Sequence, residues 1–143
     1  GQVRTVPVAE LGMGYRKSRI HDEDWIVLSA TFALTPDDPD MIRRAMDDYQ
    51  ARREEKQPLE MPSAGSTFKR PEGYFAGKLI MDAGLRGARV GGAQVSEKHC
   101  GFVVNADHAS AADVCALIEH VQEQVKDQFG VDLEPEVRRI GEF

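Results

Sequence analysis

Three short segments carry residue types that could do chemistry together. The first is Ser63-Ala64-Gly65-Ser66-Thr67-Phe68-Lys69-Arg70-Pro71. Its small residues let a ligand approach the backbone closely. Ser66 stands between a glycine and a basic pair, so its hydroxyl could face a bound anion. Neither the Gly-Lys-Ser/Thr ending of a Walker loop nor the Gly-x-Ser-x-Gly of a nucleophile elbow is present. On local chemistry alone Ser66 reads first as a turn or capping serine. The second segment is Tyr15-Arg16-Lys17-Ser18. A guanidinium there can grip a carboxylate or phosphate through two parallel hydrogen bonds, with a surface ion pair as the plainer reading. The third, Leu133-Glu134-Pro135-Glu136-Val137, sets Glu136 beside a proline-fixed turn. Charged side chains mostly stay in water, so a solvated carboxylate is its default.

Other reactive residues fit no familiar pattern. Cys100, His108, Cys115 and His120 match no zinc spacing, and Cys115 and His120 lie five apart on a predicted helix, on different faces. His21-Asp22-Glu23-Asp24 reads as an exposed turn. His99-Cys100 is no thiol–imidazole pair, because adjacent residues rarely aim side chains at each other. No metal is expected. Two cysteines make no disulfide framework and suit buried thiols in a reducing cytoplasm.

The elements that must position these segments follow from periodicity. Val3–Val8 reads as a strand, and Leu11–Gly14 as a turn. Trp25–Leu34 alternates, with Ile26, Leu28, Ala30, Phe32 and Leu34 on one face, which predicts a second strand. An Asp before Pro39 marks a helix start, and Ile42, Ala45, Met46 and Tyr49 give that helix an apolar stripe. Its charged residues, including the run from Arg52 to Lys56, form a solvated face. Gln57–Gly65 reads as a loop. Gly73–Gly84 reads as a shorter helix with Phe75, Leu79, Ile80 and Ala83 inward and Gly84 as its stop. Arg89–Val95 predicts a strand broken at Gly91-Gly92, and Gly101–Asn105 another. Ser110 and Asp113 form a cap signal for a long helix whose buried stripe is Val114, Leu117, Ile118, Val121 and Val125, ending at Gly130. Val131–Leu133 and Val137–Ile140 are terminal strand candidates around Pro135. The order β-β-α-loop-α-β-β-α-β predicts an α+β two-layer sandwich of helices on a mostly antiparallel sheet.

A chain of 143 residues with 41% hydrophobic and 29% charged residues can bury a core, which excludes a disordered tail. The net charge of −6 argues against a nucleic-acid coat protein. No apolar run is long enough to span a membrane, and no signal peptide pattern opens the chain. The acidity is uneven: residues 56–106 carry seven cations against four anions and most of the glycines. A basic, glycine-rich middle suggests a local anion site, with a solvated loop as the alternative.

Taken in order, the three segments, with Ala76-Gly77-Lys78-Leu79-Ile80, Gly91-Gly92-Ala93-Gln94-Val95-Ser96 and His99 between the last two, resemble the UDP-N-acetylenolpyruvoylglucosamine reductase (MurB) family in its shorter variety. The resemblance runs over nearly the whole chain. It implies an FAD-dependent, NADPH-using reductase of cytoplasmic peptidoglycan synthesis. Such an enzyme converts UDP-N-acetylenolpyruvoylglucosamine to UDP-N-acetylmuramate. The family's catalytic arginine falls on Arg16, its serine proton donor on Ser66 and its C-terminal glutamate on Glu136. Substrate contacts fall on Tyr15, Lys56, Lys69, Arg70 and His99. Many members have Asn where this chain has Arg70, which turns a hydrogen bond into a charge contact. Glu136 beside a substrate carboxylate would be repelled if ionised, so it is expected to be protonated in the complex.

The resemblance also implies a missing part. Residues 1–34 are expected to be strands left from an FAD-binding domain, and 35–143 the substrate-binding domain. On this view Gly1 is a cut in a longer chain, and the flavin site lies mainly in the absent N-terminal half. The 143 residues alone are expected to be inactive, with that half as partner and neither nucleic acid nor membrane bound. A non-enzymatic α+β module that binds a nucleotide sugar or a partner protein through the basic loop is the alternative.

Overall fold

The structure is a computed structural model that describes residues 1–23 and 25–141; Asp24, the last residue of the His21–Asp24 run, lies outside them. Along the chain come a 3-10 turn (Val8–Glu10), α1 (Arg19–Asp22), α2 (Pro39–Lys56), β1 (Ser63–Ser66), α3 (Ala76–Asp82), β2 (Arg89–Val90), β3 (Ala93–Val95), β4 (Phe102–Asn105) and α4 (Ala111–Phe129). The chain divides into two units, Gly1–Asp37 and Asp38–Phe143.

In the second unit α4 is defined by its ends and by one face. Ser110 Oγ accepts from the Asp113 N–H at 3.1 Å, and the Asp113 carboxylate accepts from the Ser110 N–H at 2.9 Å. This reciprocal box satisfies two of the first-turn donors that a helix leaves unpaired. At the other end Gly130 takes a left-handed φ of 69°, which glycine adopts without a Cβ penalty. Between them Leu117, Ile118, Val121 and Val125 are fully buried. Burying a side chain of this size contributes about 1.5–3 kcal/mol.

That face covers an antiparallel sheet in the order β1-β4-β3-β2. Helix α4 lies on β2, β3 and β4, and α3 packs beside it. The shared core includes Phe68, Leu79, Ile80, Ala93, Val95 and Leu133. This is the α+β two-layer sandwich expected.

Several elements differ from expectation, each for a physical reason. The segment around Gly91-Gly92 is a hairpin of two strands, Val90 facing Ala93 across a two-residue turn. Gly92 is obligatory there, since a Cβ would overlap the Asp107 carbonyl. The predicted loop before Ser66 contains edge strand β1, bulged around Gly65 at φ 87°. Helix α3 starts at Ala76, leaving Phe75 as an exposed N-cap residue. Val131–Leu133 and Val137–Ile140 form no strands. In their place, among the described residues, Phe68 and Pro135 form an isolated antiparallel bridge.

Helix α2 is well capped, with Asp38 accepting from Asp40 and Met41 at 2.8 and 3.1 Å, yet it buries no residue. Tyr49 is 65% exposed. Periodicity shows which face could be buried, not that a partner is there.

The first unit holds no strand among its described residues, which corrects both strand predictions there. Trp25–Leu34 joins no sheet, and Ile26 is 86% exposed. An alternating segment becomes a strand only when a neighbour supplies the ladder. Arg4 and Arg19 stack on the Trp25 ring at 4.3 and 5.0 Å.

Candidate functional site

Ser66 closes β1, opposite Phe102 on β4. The two residues after it are anchors. Thr67 is buried, its N–H donates to the Gly101 carbonyl at 2.8 Å, and its Oγ1 accepts from the Val103 N–H at 3.0 Å. Phe68 fills the core. Ser66 is therefore an exposed hydroxyl at the end of a firmly tied segment.

The C-terminal segment docks on the far side of the same anchor. The Glu136 N–H donates to the Thr67 carbonyl at 2.8 Å, and the Lys69 N–H donates to the Glu134 carbonyl at 2.8 Å. Leu133 is buried, and Gln122 of α4 donates to its carbonyl at 2.8 Å. Ser66 and Glu136, distant in sequence, are thus brought to Thr67 from two sides.

The basic residues expected at the site divide. The Lys69 ammonium pairs with Glu134. Arg70 sits over the Phe75 ring at 4.0 Å and donates from Nε to the Tyr74 carbonyl at 3.3 Å. Arg70 therefore presents a cation stacked on an exposed aromatic, an arrangement worth about 0.5–1 kcal/mol at a surface. His99 is exposed beside Phe102, ring centroids 5.1 Å apart. Lys56, the exposed last residue of α2, makes no hydrogen bond or ion pair to this group among the described residues. Lys98 Nζ ties the end of α2 instead, donating to the Glu54 carbonyl at 2.7 Å.

In the first unit Tyr15 and Arg16 form the tip of a two-residue turn. The Gly14 N–H donates to the Lys17 carbonyl at 2.9 Å, and the Lys17 N–H to the Gly14 carbonyl at 3.2 Å. Arg16 holds φ 56°, a conformation uncommon outside glycine, Asn and Asp. Strain of this kind concentrates at functional positions. The guanidinium lies 5.8 Å from the Tyr15 ring centroid.

Among the described residues two groups have displaced pKa values. Burial pushes the Cys100 thiol up, partly offset by the Arg86 charge, which makes it a poor nucleophile. The Asp113 carboxyl is held below its usual range, first by the Ser110 N–H and then by the Ser110 hydroxyl. Among the described residues no three His, Cys, Asp or Glu side chains gather as a metal site, and no helix is long and apolar enough to cross a membrane.

Residues 57–140 match the family model for the UDP-N-acetylenolpyruvoylglucosamine reductase C-terminal domain. The chain belongs to this family. A UDP-N-acetylenolpyruvoylglucosamine reductase from Agathobacter rectalis is 65% identical over 143 residues, all of this chain and 46% of the relative. One from Limosilactobacillus reuteri is 60% identical over 141 residues, 99% of this chain and 47% of the relative. The crystal structure of the Thermus caldophilus family member superposes with a TM-score of 0.73 at 37% identity, covering 90% of this chain and 46% of that one. The chain spans about half the length of the curated relatives it matches.

Sequence reasoning assigns no role to the anchors Thr67 and Ser96, both buried polar residues. It assigns no role to Gly77 either. A glycine inside a predicted helix, where it has the poorest propensity apart from proline, was the available signal.

Proposed function

We propose that this chain is the C-terminal part of an FAD-dependent, NADPH-using reductase. That enzyme converts UDP-N-acetylenolpyruvoylglucosamine to UDP-N-acetylmuramate in cytoplasmic peptidoglycan synthesis. The meeting of Ser66 and Glu136 at Thr67, inside a domain of this family, carries the reading. Residues 1–34 then belong to the FAD-binding domain and 35–143 to the substrate domain.

The interior of the sandwich is filled by its own side chains. FAD would lie mainly against the half of the relatives that this chain does not span, and that half is the chain's partner. FAD, when bound and reduced by NADPH, would supply the hydride. This chain's residues handle charge and proton. Hydride addition to the terminal enol carbon leaves a carbanion delocalised into the substrate carboxylate. Arg16 stabilises the growing negative charge on those oxygens; one preorganised donor of this kind is typically worth about 3 kcal/mol. Ser66 Oγ gives its proton to the α carbon. A serine hydroxyl is a very weak acid, and only a base this strong can take its proton. Glu136 donates a hydrogen bond as a neutral acid, since a second carboxylate beside the substrate's would be repelled. Tyr15, Lys56, Lys69, Arg70 and His99 contact the UDP-sugar. Lys69 does so in exchange for its bond to Glu134.

Supplying the missing half, in trans or fused, and measuring NADPH oxidation with the enolpyruvyl substrate tests the proposal. Turnover is expected only with both halves and substrate present. If the 143-residue chain alone is yellow and oxidises NADPH, the division of labour is wrong. In the assembled enzyme Glu136→Gln is expected to keep most activity. Near-total loss would make Glu136 an ionised or proton-relaying group.

A further inference from the structure

Gly77 is the second residue of α3, a position glycine's low helix propensity does not favour. A Cβ at this position would stand 3.1 Å from the Gly101 backbone nitrogen and 3.3 Å from the His99 ring carbon Cε1. The bare glycine is what lets α3 lie directly on the turn that carries His99. From the other side that turn is held by Ser96, which is buried. Its Oγ accepts from the Lys98 and His99 N–H groups, each at 3.2 Å. The Ser96 N–H donates to the Phe102 carbonyl at 2.9 Å, and the Phe102 N–H to the His99 carbonyl at 3.0 Å.

Inside the turn the Gly101 N–H donates to His99 Nδ1 at 3.1 Å. A ring nitrogen that accepts a hydrogen bond carries no proton, so in the neutral ring the proton sits on Nε2. We infer that Gly77 and Ser96 are positioning residues for His99. Gly77 seats the ring and Ser96 the backbone, and together they hold the imidazole as one tautomer with a fixed Nε2–H donor. Such a donor suits an anionic oxygen, as in a diphosphate. Its use on substrate rests on the role proposed above for His99; the hold itself does not.

Long-range proton–nitrogen correlation on the nitrogen-labelled chain, at a pH where imidazole is neutral, reads the tautomer directly. The expected result is an Nε2–H pattern for His99 in the wild type. Gly77→Ala and Ser96→Ala should shift it to the averaged pattern of a free imidazole. The signals of His21, His108 and His120 should stay unchanged and so report that the fold survives. An averaged His99 in the wild type overturns the inference, as does an unshifted pattern in both variants. If Gly77→Ala fails to fold, the wild-type pattern and Ser96→Ala decide. No ligand enters the measurement, so its failure is separate from failure of the turnover assay.

Discussion

Helices α2 and α4 are nearly equal in length, 18 and 19 residues, and both begin with a side-chain cap. Helix α4 buries four large side chains and α2 buries none. The comparison separates two contributions that a helix usually combines. Caps set where each helix starts, and α2 has Pro39 at its first position and a charge pair between Asp48 and Arg52 at 2.8 Å besides. Only α4 converts its apolar stripe into core. The stability of the sandwich should therefore depend strongly on α4 and weakly on α2.

Truncating the packed face should have the largest effect. Leu117→Ala should cost about 2–5 kcal/mol in urea unfolding, the usual range for a buried leucine. Met46→Ala on the exposed stripe of α2 should stay within about 0.5 kcal/mol. Equal losses would mean that α2 is packed and the comparison is false. Removing caps should come next. Ser110→Ala should lower global stability by about 1 kcal/mol, while Asp38→Ala should fray α2, seen as reduced helical circular dichroism, with little change in the urea midpoint.

The smallest effect is a pH dependence. Bonds from Ser110 depress the Asp113 pKa in the folded chain. Its contribution is therefore present above the unfolded value of about 3.9 and is lost as pH falls through the lower folded value. Asp113→Asn should destabilise at pH 7 and converge with the wild type in urea midpoint at strongly acidic pH. A gap that stays constant with pH would exclude the carboxylate as its source.

The elements legible in the sequence were those whose evidence is local. The Ser110 box, the Val114–Val125 stripe and Gly130 outlined α4, and the apolar run before Asn105 marked β4. What escaped depended on partners. Trp25–Leu34 alternates like a strand but joins no sheet among the described residues, and the α2 stripe meets no core. The terminal segments pair through one bridge, Phe68 with Pro135, among the described residues. The site follows the same rule. Ser66 and Glu136 were each marked by their segments and by the family resemblance. Their meeting at Thr67 depends on a long-range bridge that no periodicity encodes. The Lys69–Glu134 pair comes from the same bridge.

Ser66 is proposed as the proton donor of a two-part reductase. The most direct test of this role is stopped-flow on the assembled enzyme carrying Ser66→Ala. NADPH should reduce the flavin at the wild-type rate. Reoxidation by the enolpyruvyl substrate should slow by roughly 10²–10⁴-fold, the usual range for losing a general acid. Reoxidation at the wild-type rate would contradict the account.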